Sequence, residues 1–496
     1  MAQSRETSYI LLPFQFERVE SGDYLLTNDA GEFIYVRLDE FERYVSCTLE
    51  RDSETYVNLK TRHFLLDSPK YLAQTIDLLA TKYRSKKGYL KDFTCLHMVV
   101  LTLRCNHNCN YCQASSQDAM ASKWDMDRNT ARKVVDMIFQ CPSQAIKIEF
   151  QGGEPLLNYP VIVEIVEYAR KVNRKYRKNV SFVLCTNLSL MNREILSFLK
   201  KHHVEVSSSL DGPRELHDCN RIMRDGRSSH DLFVRNLQMT RSYLGDDSVG
   251  ALLTITRTNM DRLHEVIDEY VRLGFRNVFL RSLNPYGHAQ KKTGEKLQYG
   301  TDEFVAAYKD ALQYIIDLNI RGQQFAESFS TILLTRILTP FATGFVDLQS
   351  PTGAGILGAI YDHDGSVYPC DEGRMLAAMG DRHFCLGNAR DNTYREVFLH
   401  RKLQRIIAAS CVETIPGCHS CVYQPYCGAD PIRSYSQQKD ESYVGHMPTS
   451  EFCRKHRAIL SHLFNLIRGA NDDVIDVFWS WITRRPYSEV TLSCRQ

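Results

Sequence analysis

Three cysteines stand at C-x3-C-x2-C spacing in the run Cys105-Asn106-His107-Asn108-Cys109-Asn110-Tyr111-Cys112. Three thiolates so spaced hold three irons of a [4Fe-4S] cube and leave the fourth iron open. A small chelating ligand can bind there and receive one electron from a low-potential cluster. The competing chemistry is a zinc knuckle, which needs a fourth Cys or His at short range; His107 could supply it.

A second group of chemistry-bearing residues is Gln151-Gly152-Gly153-Glu154-Pro155. Gly152 and Gly153 let backbone approach a ligand closely, and Glu154 can accept hydrogen bonds from an ammonium group. Alone, the segment also reads as a plain turn. More dispersed polar groups follow in Thr186-Asn187, Ser209-Leu210-Asp211-Gly212 and Thr254-Ile255-Thr256. Each serves equally well as a cap or turn residue; Asn187 and Ser209 are carried forward as candidate ligand contacts.

The C-terminal third adds Cys418-x2-Cys421-x5-Cys427 with Cys453 downstream, four thiolates that suffice for a second closed cluster or for structural zinc. Cys370-x9-Gly380-x4-Cys385 precedes it. Asp371 and Glu372 beside Cys370 read most simply as surface carboxylates. Of the 16 cysteines, Cys47, Cys95, Cys141, Cys185, Cys219 and Cys494 read as plain buried or surface residues.

The elements that must position these groups follow from periodicity. From about His97 to Tyr286, apolar strands (Met98–Leu103, Ala145–Glu149, Phe182–Cys185, Val204–Ser208, Ala251–Ile255, Val278–Leu280) alternate with amphipathic helices (Arg128–Phe139, Pro160–Val172, Asn192–Lys200, Met260–Leu273). Such alternation implies right-handed crossovers and a parallel sheet, with the ligand site at the strand C-terminal ends. Six units make an α/β fold of the partial (β/α)6 barrel type. The cysteine run, the Gly-Gly-Glu-Pro segment, Thr186-Asn187 and Ser209–Gly212 each follow one of these strands, and Thr254–Thr256 lies on the fifth. Ahead of the barrel, Tyr9–Phe16, Tyr24–Thr27 and Phe33–Val36 read as a small sheet turned at Asn28-Asp29-Ala30-Gly31, with helices over Leu38–Cys47 and Pro69–Tyr83. Thr301–Asn319, Phe329–Leu338 and Asn471–Thr483 read as further helices. The region from Tyr361, rich in Cys, Gly and Pro, is expected to be held by ligands rather than by a large core. The expected divisions are 1–93, 94–345, 346–465 and 466–496.

At 496 residues the chain exceeds one ordinary core, and a net charge of +2 argues against a nucleic-acid scaffold. Met1 to Arg18 lacks a basic region followed by an apolar core, and no apolar run of about 18 residues occurs. The reading is a cytoplasmic protein without a membrane partner, whose clustered cysteines are metal ligands rather than disulfides.

The cysteine run, with its aromatic before the last cysteine, and the Gly-Gly-Glu-Pro segment after the second strand resemble the radical SAM superfamily. That resemblance implies S-adenosylmethionine chelated at the open iron, with its amino group met near Glu154. It also implies a 5′-deoxyadenosyl radical, an adenine that Tyr111 could pack against, and an external flavodoxin or ferredoxin as reductant. The later cysteines resemble the SPASM extension, which binds two auxiliary clusters. One departure stands out: Pro431 occupies the position after Cys427 where that pattern has a cysteine. Cys411 or Asp430 would then have to complete a first auxiliary cluster with Cys370 and Cys385. The N-terminal segment resembles the winged-helix module with which peptide-modifying enzymes take up a leader by strand addition; a capping or dimerisation role fits the same pattern. Leu25–Gly31, Phe150–Leu157, Ser207–Pro213, Leu280–Gly287, Asp347–Gly355 and Cys427–Pro431 resemble the His-Xaa-Ser system maturases. This implies a precursor peptide with His-Xaa-Ser repeats, oxidative crosslinking, and a second radical SAM maturase as partner. Sulfatase-type oxidation, thioether formation and epimerisation are the alternatives within the enzyme class. An electron-carrying or zinc scaffold is the alternative outside it.

Overall fold

The computed structural model describes residues 9–494 apart from 92, 445, 446 and 470. The side chain of Cys494 lies outside the described residues. The centre is a nine-stranded sheet. Its strands, in chain order, are β1 (Leu96–Thr102), β2 (Ala145–Gly152), β3 (Asn179–Cys185), β4 (Val204–Ser209), β5 (Val249–Ile255), β6 (Leu280–Ser282), β7 (Gly358–Tyr361), β8 (Ser366–Tyr368) and β9 (Gly387–Asn388). Across the sheet they lie in the order β6-β5-β4-β3-β2-β1-β7-β8-β9. The first six run parallel, in sequence order, as the alternation of apolar strands and helices predicts. β1 is buried on both faces, which is why Met98–Leu101 reads as an unbroken apolar run, whereas β2, β4 and β5 bury alternate residues more deeply.

Helix starts follow side-chain caps. Asp127 accepts from the Thr130 amide to open Arg128–Ile138, and Asn192 accepts from the Ile195 amide to open Arg193–His202. The Val134, Val135 and Ile138 face of the first packs into the core with Ile162 and Ile165 of helix Tyr159–Tyr176.

The structure departs from the pattern-based reading in three places. Tyr9–Phe16 is not one strand: Ile10–Leu11 pairs with Leu65–Leu66, and Gln15–Arg18 joins the three-stranded sheet. Pro13 lies between them and has no amide to give a ladder. Val278–Leu280 also divides; Asn277–Val278 pairs with Ala326–Glu327, while β6 continues the barrel. The third departure concerns the region after Tyr361. β7 pairs in parallel with β1, so the sheet continues across the open flank of the barrel into the cysteine-rich part. A single hydrophobic core runs from Ile148 and Phe150 through Tyr361 and Val367 to Tyr426 and Phe464. The cysteine-rich region therefore shares a large core instead of depending on ligands alone. Helix Glu451–Gly469, which carries Cys453, is a further element that pattern reading missed.

The N-terminal sheet (Gln15–Arg18, Tyr24–Thr27, Phe33–Val36) sits on the cysteine-rich region. The Thr27 hydroxyl donates to the Val422 carbonyl at 2.7 Å, Tyr35 to Phe464 O at 2.6 Å, and Tyr426 to Gly31 O at 3.1 Å. Gly31, in the left-handed region at φ 73°, makes the turn predicted at Asn28–Gly31.

One buried carboxylate joins β6 to the helical layer. Glu327, fully buried, accepts from the Leu280 amide (3.1 Å), the Phe329 and Ser330 amides and the Tyr308 hydroxyl (2.6 Å). Glu327→Ala leaves the three amides without this acceptor, while Tyr308 keeps the Ser330 hydroxyl, and should cost about 3 kcal/mol in urea unfolding. A loss below about 1 kcal/mol would mean that the carboxylate does not hold this junction.

Candidate active site

The cysteine loop leaves β1 and is gripped by backbone on several sides. The Cys105 amide donates to Gln117 O (3.1 Å), and the Cys105 carbonyl accepts from Arg224 Nε (3.1 Å). Asn108 and Asn110 amides donate to Ile222 O and Asn220 O, and the His288 amide donates to Cys112 O at 2.8 Å. Burial pushes the Cys105 thiol well up and the Cys109 thiol to about 12, with each neighbouring thiol adding to the rise at Cys105. Thiolates in so dry a place require cationic partners, which the irons of a cluster provide. Burial lowers His107 to about 4, and both its ring nitrogens are buried without a partner at the cavity wall. Among the described residues, no three His, Cys, Asp or Glu side chains gather tightly enough for a single metal ion. Cys105, Cys109 and Cys112 line one wall of the same cavity.

Gly152 and Gly153 line the cavity, but what they closely approach is the chain entering the cysteine loop. A Cβ on Gly152 would stand 2.3 Å from Thr102 O, and one on Gly153 2.2 Å from Arg104 O. The Gly153 and Glu154 amides donate to Thr102 O (2.9 Å) and Arg104 O (2.7 Å). Glu154 differs from its expected place beside the ligand amine. It is fully buried and accepts from the Leu156 amide (3.1 Å), the Thr186 hydroxyl (2.7 Å) and the Asn187 amide (2.8 Å). Asn187 Nδ2 in turn donates to Asn106 Oδ1 at 3.0 Å, beside Cys105. Glu154 thus holds the end of β3 against the cysteine loop.

Tyr111 lines the cavity with its orientation fixed. Its hydroxyl donates to Asp211 Oδ2 at 2.5 Å, and the Arg221 guanidinium lies 5.4 Å from the ring centre. Arg221 Nε also binds Asp211 Oδ2, at 3.0 Å. Ser209 lines the same wall, but the neighbouring Ser208 hydroxyl is the buried one with no partner. Asn187 lines it too.

These groups face one cavity of about 580 Å³ at the C-terminal ends of β1 to β5, within the size range of ligand pockets. Its far wall comes from the C-terminal region: Phe345, Val346, Asp347, Cys370, Asp371 and Glu372. Asp371 and Glu372 are therefore cavity residues and not the surface carboxylates expected; the sequence carried no sign of β7 and β8, which bring them there. Asp371 Oδ1 is buried without a partner. Burial, with Asp347 and Asp430 close by, lifts Glu372 to about 8. Cys185, read as a plain residue, also lines the cavity, beside Glu149 and Ser207.

Cys418, Cys421, Cys427 and Cys453 come together: burial takes Cys418 and Cys427 to about 12, the Cys421, Cys453 and Cys418 thiols each raise Cys427, and Cys421 also raises Cys418 and Cys453. Helix Glu451–Gly469 brings Cys453 to the other three. Cys370 lies instead beside Glu372 and Asp430. Cys385 Sγ contacts Gly387 O at 3.5 Å, and Cys411 Sγ contacts Ile407 O at 3.6 Å beside Glu413 and Lys87.

A family model described as the radical SAM superfamily matches residues 99–270. An uncharacterized protein of Methanocaldococcus jannaschii is 31% identical over 210 residues, 42% of this chain and 68% of that protein. A cysteine-type anaerobic sulfatase-maturating enzyme of Clostridium novyi is 23% identical over 369 residues, 71% of this chain and 91% of the enzyme. The solved structure described as native anSMEcpe with bound AdoMet and Cp18Cys peptide superposes with a TM-score of 0.62 at 20% identity, over 75% of this chain and 98% of that one. At this identity the superposition establishes the fold. Among the described residues, no helix is long and apolar enough to cross a membrane.

Two substitutions test the site. Gly287 has φ 60°, and a Cβ there would stand 2.5 Å from Cys112 O. Gly287→Ala should cost about 1 to 3 kcal/mol and lower the iron retained by the Cys105/Cys109/Cys112 loop after reconstitution; full retention would show that the loop is not held from this side. Burial raises Glu154 from 4.5 to about 7, so the folded state binds its proton more tightly than the unfolded state. Its contribution is complete below pH 4.5 and is lost as pH rises to about 7. Relative to Glu154→Gln, wild type should lose about 3 kcal/mol of unfolding free energy over that window. A flat difference would place the carboxylate in a more polar setting.

Proposed function

This chain belongs to the radical SAM superfamily, and from that premise we propose that it modifies a ribosomally made precursor peptide, one with His-Xaa-Ser repeats, by hydrogen abstraction and oxidative crosslinking. The observation that carries this reading is the cavity shared by the Cys105/Cys109/Cys112 loop, the strand ends and the C-terminal wall. A [4Fe-4S] cluster with one open iron supplies, when bound, the electron that cleaves S-adenosylmethionine to a 5′-deoxyadenosyl radical.

The chain's own residues then divide the work. Cys105, Cys109 and Cys112 hold the first cluster, and Cys418, Cys421, Cys427 and Cys453 hold an auxiliary one. Tyr111, Asn187 and Ser209 line the space for S-adenosylmethionine, with Gly152 and Gly153 giving backbone there. Glu154 acts by positioning Asn187. Asp371 Oδ1, unpaired on the far wall, takes the proton released as the peptide is oxidised. An external flavodoxin or ferredoxin provides electrons, and a second radical SAM maturase is the expected partner. The leader is taken up along Gln15–Arg18, an edge of the N-terminal sheet whose Phe16 is 52% exposed beside Tyr24 and Phe41.

Anaerobically reconstituted protein with dithionite and S-adenosylmethionine should release 5′-deoxyadenosine, and Cys105→Ala/Cys109→Ala/Cys112→Ala should abolish release. Release unchanged in that variant would refute the enzyme reading. Mass spectrometry of a co-expressed His-Xaa-Ser precursor should show loss of a hydrogen pair per site. Unchanged mass with altered stereochemistry would mean epimerisation. An untouched precursor alongside an oxidised sulfatase peptide would favour the activity named for the Clostridium novyi relative.

A further inference from the structure

Cys370 and Cys385 resemble ligands of a first auxiliary cluster, yet the space beside Cys370 has a different character. The small cavity there is about 10 Å³, lined by Asp347, Cys370, Glu372, Ala429, Asp430 and Ile432 among others. That is room for at most one water molecule. On its other side Cys370 lines the main cavity, whose wall includes neither Cys385 nor Cys411. The position where the pattern has a further cysteine is Pro431, buried and the first residue of helix Pro431–Gln438, with Asp430 as its cap through the Arg433 amide at 2.9 Å. Asp430, the non-cysteine ligand that could have stood in, is thereby engaged in the helix start.

The other possible thiols are held elsewhere. Cys385 rests on Gly387 O at the start of β9, next to the fully buried Phe384, and Phe384 Cβ in turn lies against Gly373 of helix Asp371–Ala378. Cys411 is on Ile407 O beside the Lys87–Glu413 pair. Cys185, at the end of β3, lines the main cavity with its thiol on Glu149 and near Asp371. What surrounds Cys370 is an ionic group: Asp347, Glu372 and Asp430 with Arg281, Arg433 and Lys455 lining one adjoining space, and Lys455 Nζ on Ser282 Oγ at 3.0 Å.

We infer that this chain carries one auxiliary cluster, on Cys418/Cys421/Cys427/Cys453, and that a carboxylate-and-cation group occupies the place of the other, leaving Cys370 and Cys385 as free thiols. The wall facing the peptide is then built of protein carboxylates and not of an iron centre. The inference rests on the cluster reading above, and its readout is metal content, which is independent of peptide modification.

The test is iron and acid-labile sulfide per chain on the full-length, anaerobically reconstituted protein, with Mössbauer spectra for cluster type. The expected value is about eight irons, two cubes' worth. Cys370→Ser/Cys385→Ser should keep that number, and Cys453→Ser should lose about four irons. About twelve irons in wild type, or a loss of about four in Cys370→Ser/Cys385→Ser, would overturn the inference. So would a Cys453→Ser variant that retains the wild-type count. Because wild type alone separates about eight from about twelve, a variant that fails to fold leaves the answer intact. Nucleoside release without peptide modification would count against the proposed function and leave the cluster count standing.

Discussion

The site depends on backbone pressed against backbone where β2 ends and the cysteine loop begins. Gly152 and Gly153 lie so close to Thr102 and Arg104 that a methyl group on either would meet a carbonyl oxygen at 2.2 to 2.3 Å. This contact is possible only without side chains, and it coincides with the register shift between β1 and β2 near Thr102. Gly287 repeats the arrangement against Cys112. Three thiols can converge on one cluster only if their loop cannot relax outward. The loop is restrained by main-chain hydrogen bonds from Gln117, the 220–222 stretch and His288, which no rotamer change can release. The fully buried Glu154 then ties β3 to the same point through Thr186 and Asn187.

From that junction the chemistry spreads along the sheet. Parallel strands present their C-terminal ends together, so β1 to β5 bring Cys105, Gly152, Asn187, Ser209 and Thr254 to one rim without any long-range coincidence in sequence. β7, by pairing with β1, extends the rim on its other side, and the strand after it leads directly to Cys370, Asp371 and Glu372. A cavity wall made by the C-terminal region is thus a consequence of sheet extension.

Legibility in the sequence followed the range of the interactions. Alternating strands and helices, the cysteine runs and the turn at Asn28–Gly31 are local patterns, and the sheet order, the strand ends and the turn conformation agree with them. Cys418, Cys421 and Cys427 are grouped by their spacing, whereas Cys453 is distant in sequence and comes near them on helix Glu451–Gly469. The pairing of β7 with β1 was not readable, because Gly358–Tyr361 is four residues of general apolar character with no periodicity to assign it. Its consequence, Asp371 and Glu372 at the cavity, was lost with it. Gly152, Gly153 and Glu154 also make protein contacts that the sequence did not announce. A glycine's permissiveness states that something comes close, and only coordinates state that Thr102 and Arg104 are among it. A signal for Arg221 did exist, since a buried Asp211 requires a cation, but its burial could not be foreseen from the loop sequence.

The Cys418–Cys427 loop joins distant parts of the chain. Its Val422 carbonyl receives Thr27, its Tyr426 hydroxyl reaches Gly31, and its Cys427 carbonyl accepts from Arg336 Nη2 at 3.3 Å. Lys86 donates to Arg336 O at 2.9 Å, closing the circuit back to the N-terminal region. The N-terminal sheet therefore rests on this loop and on helix Glu451–Gly469 through main-chain acceptors, with Tyr423, Tyr426 and Phe464 in the core beneath it. The placement of the proposed peptide-reading edge is thus set by the packing of the cysteine-rich region, which its shared core already fixes.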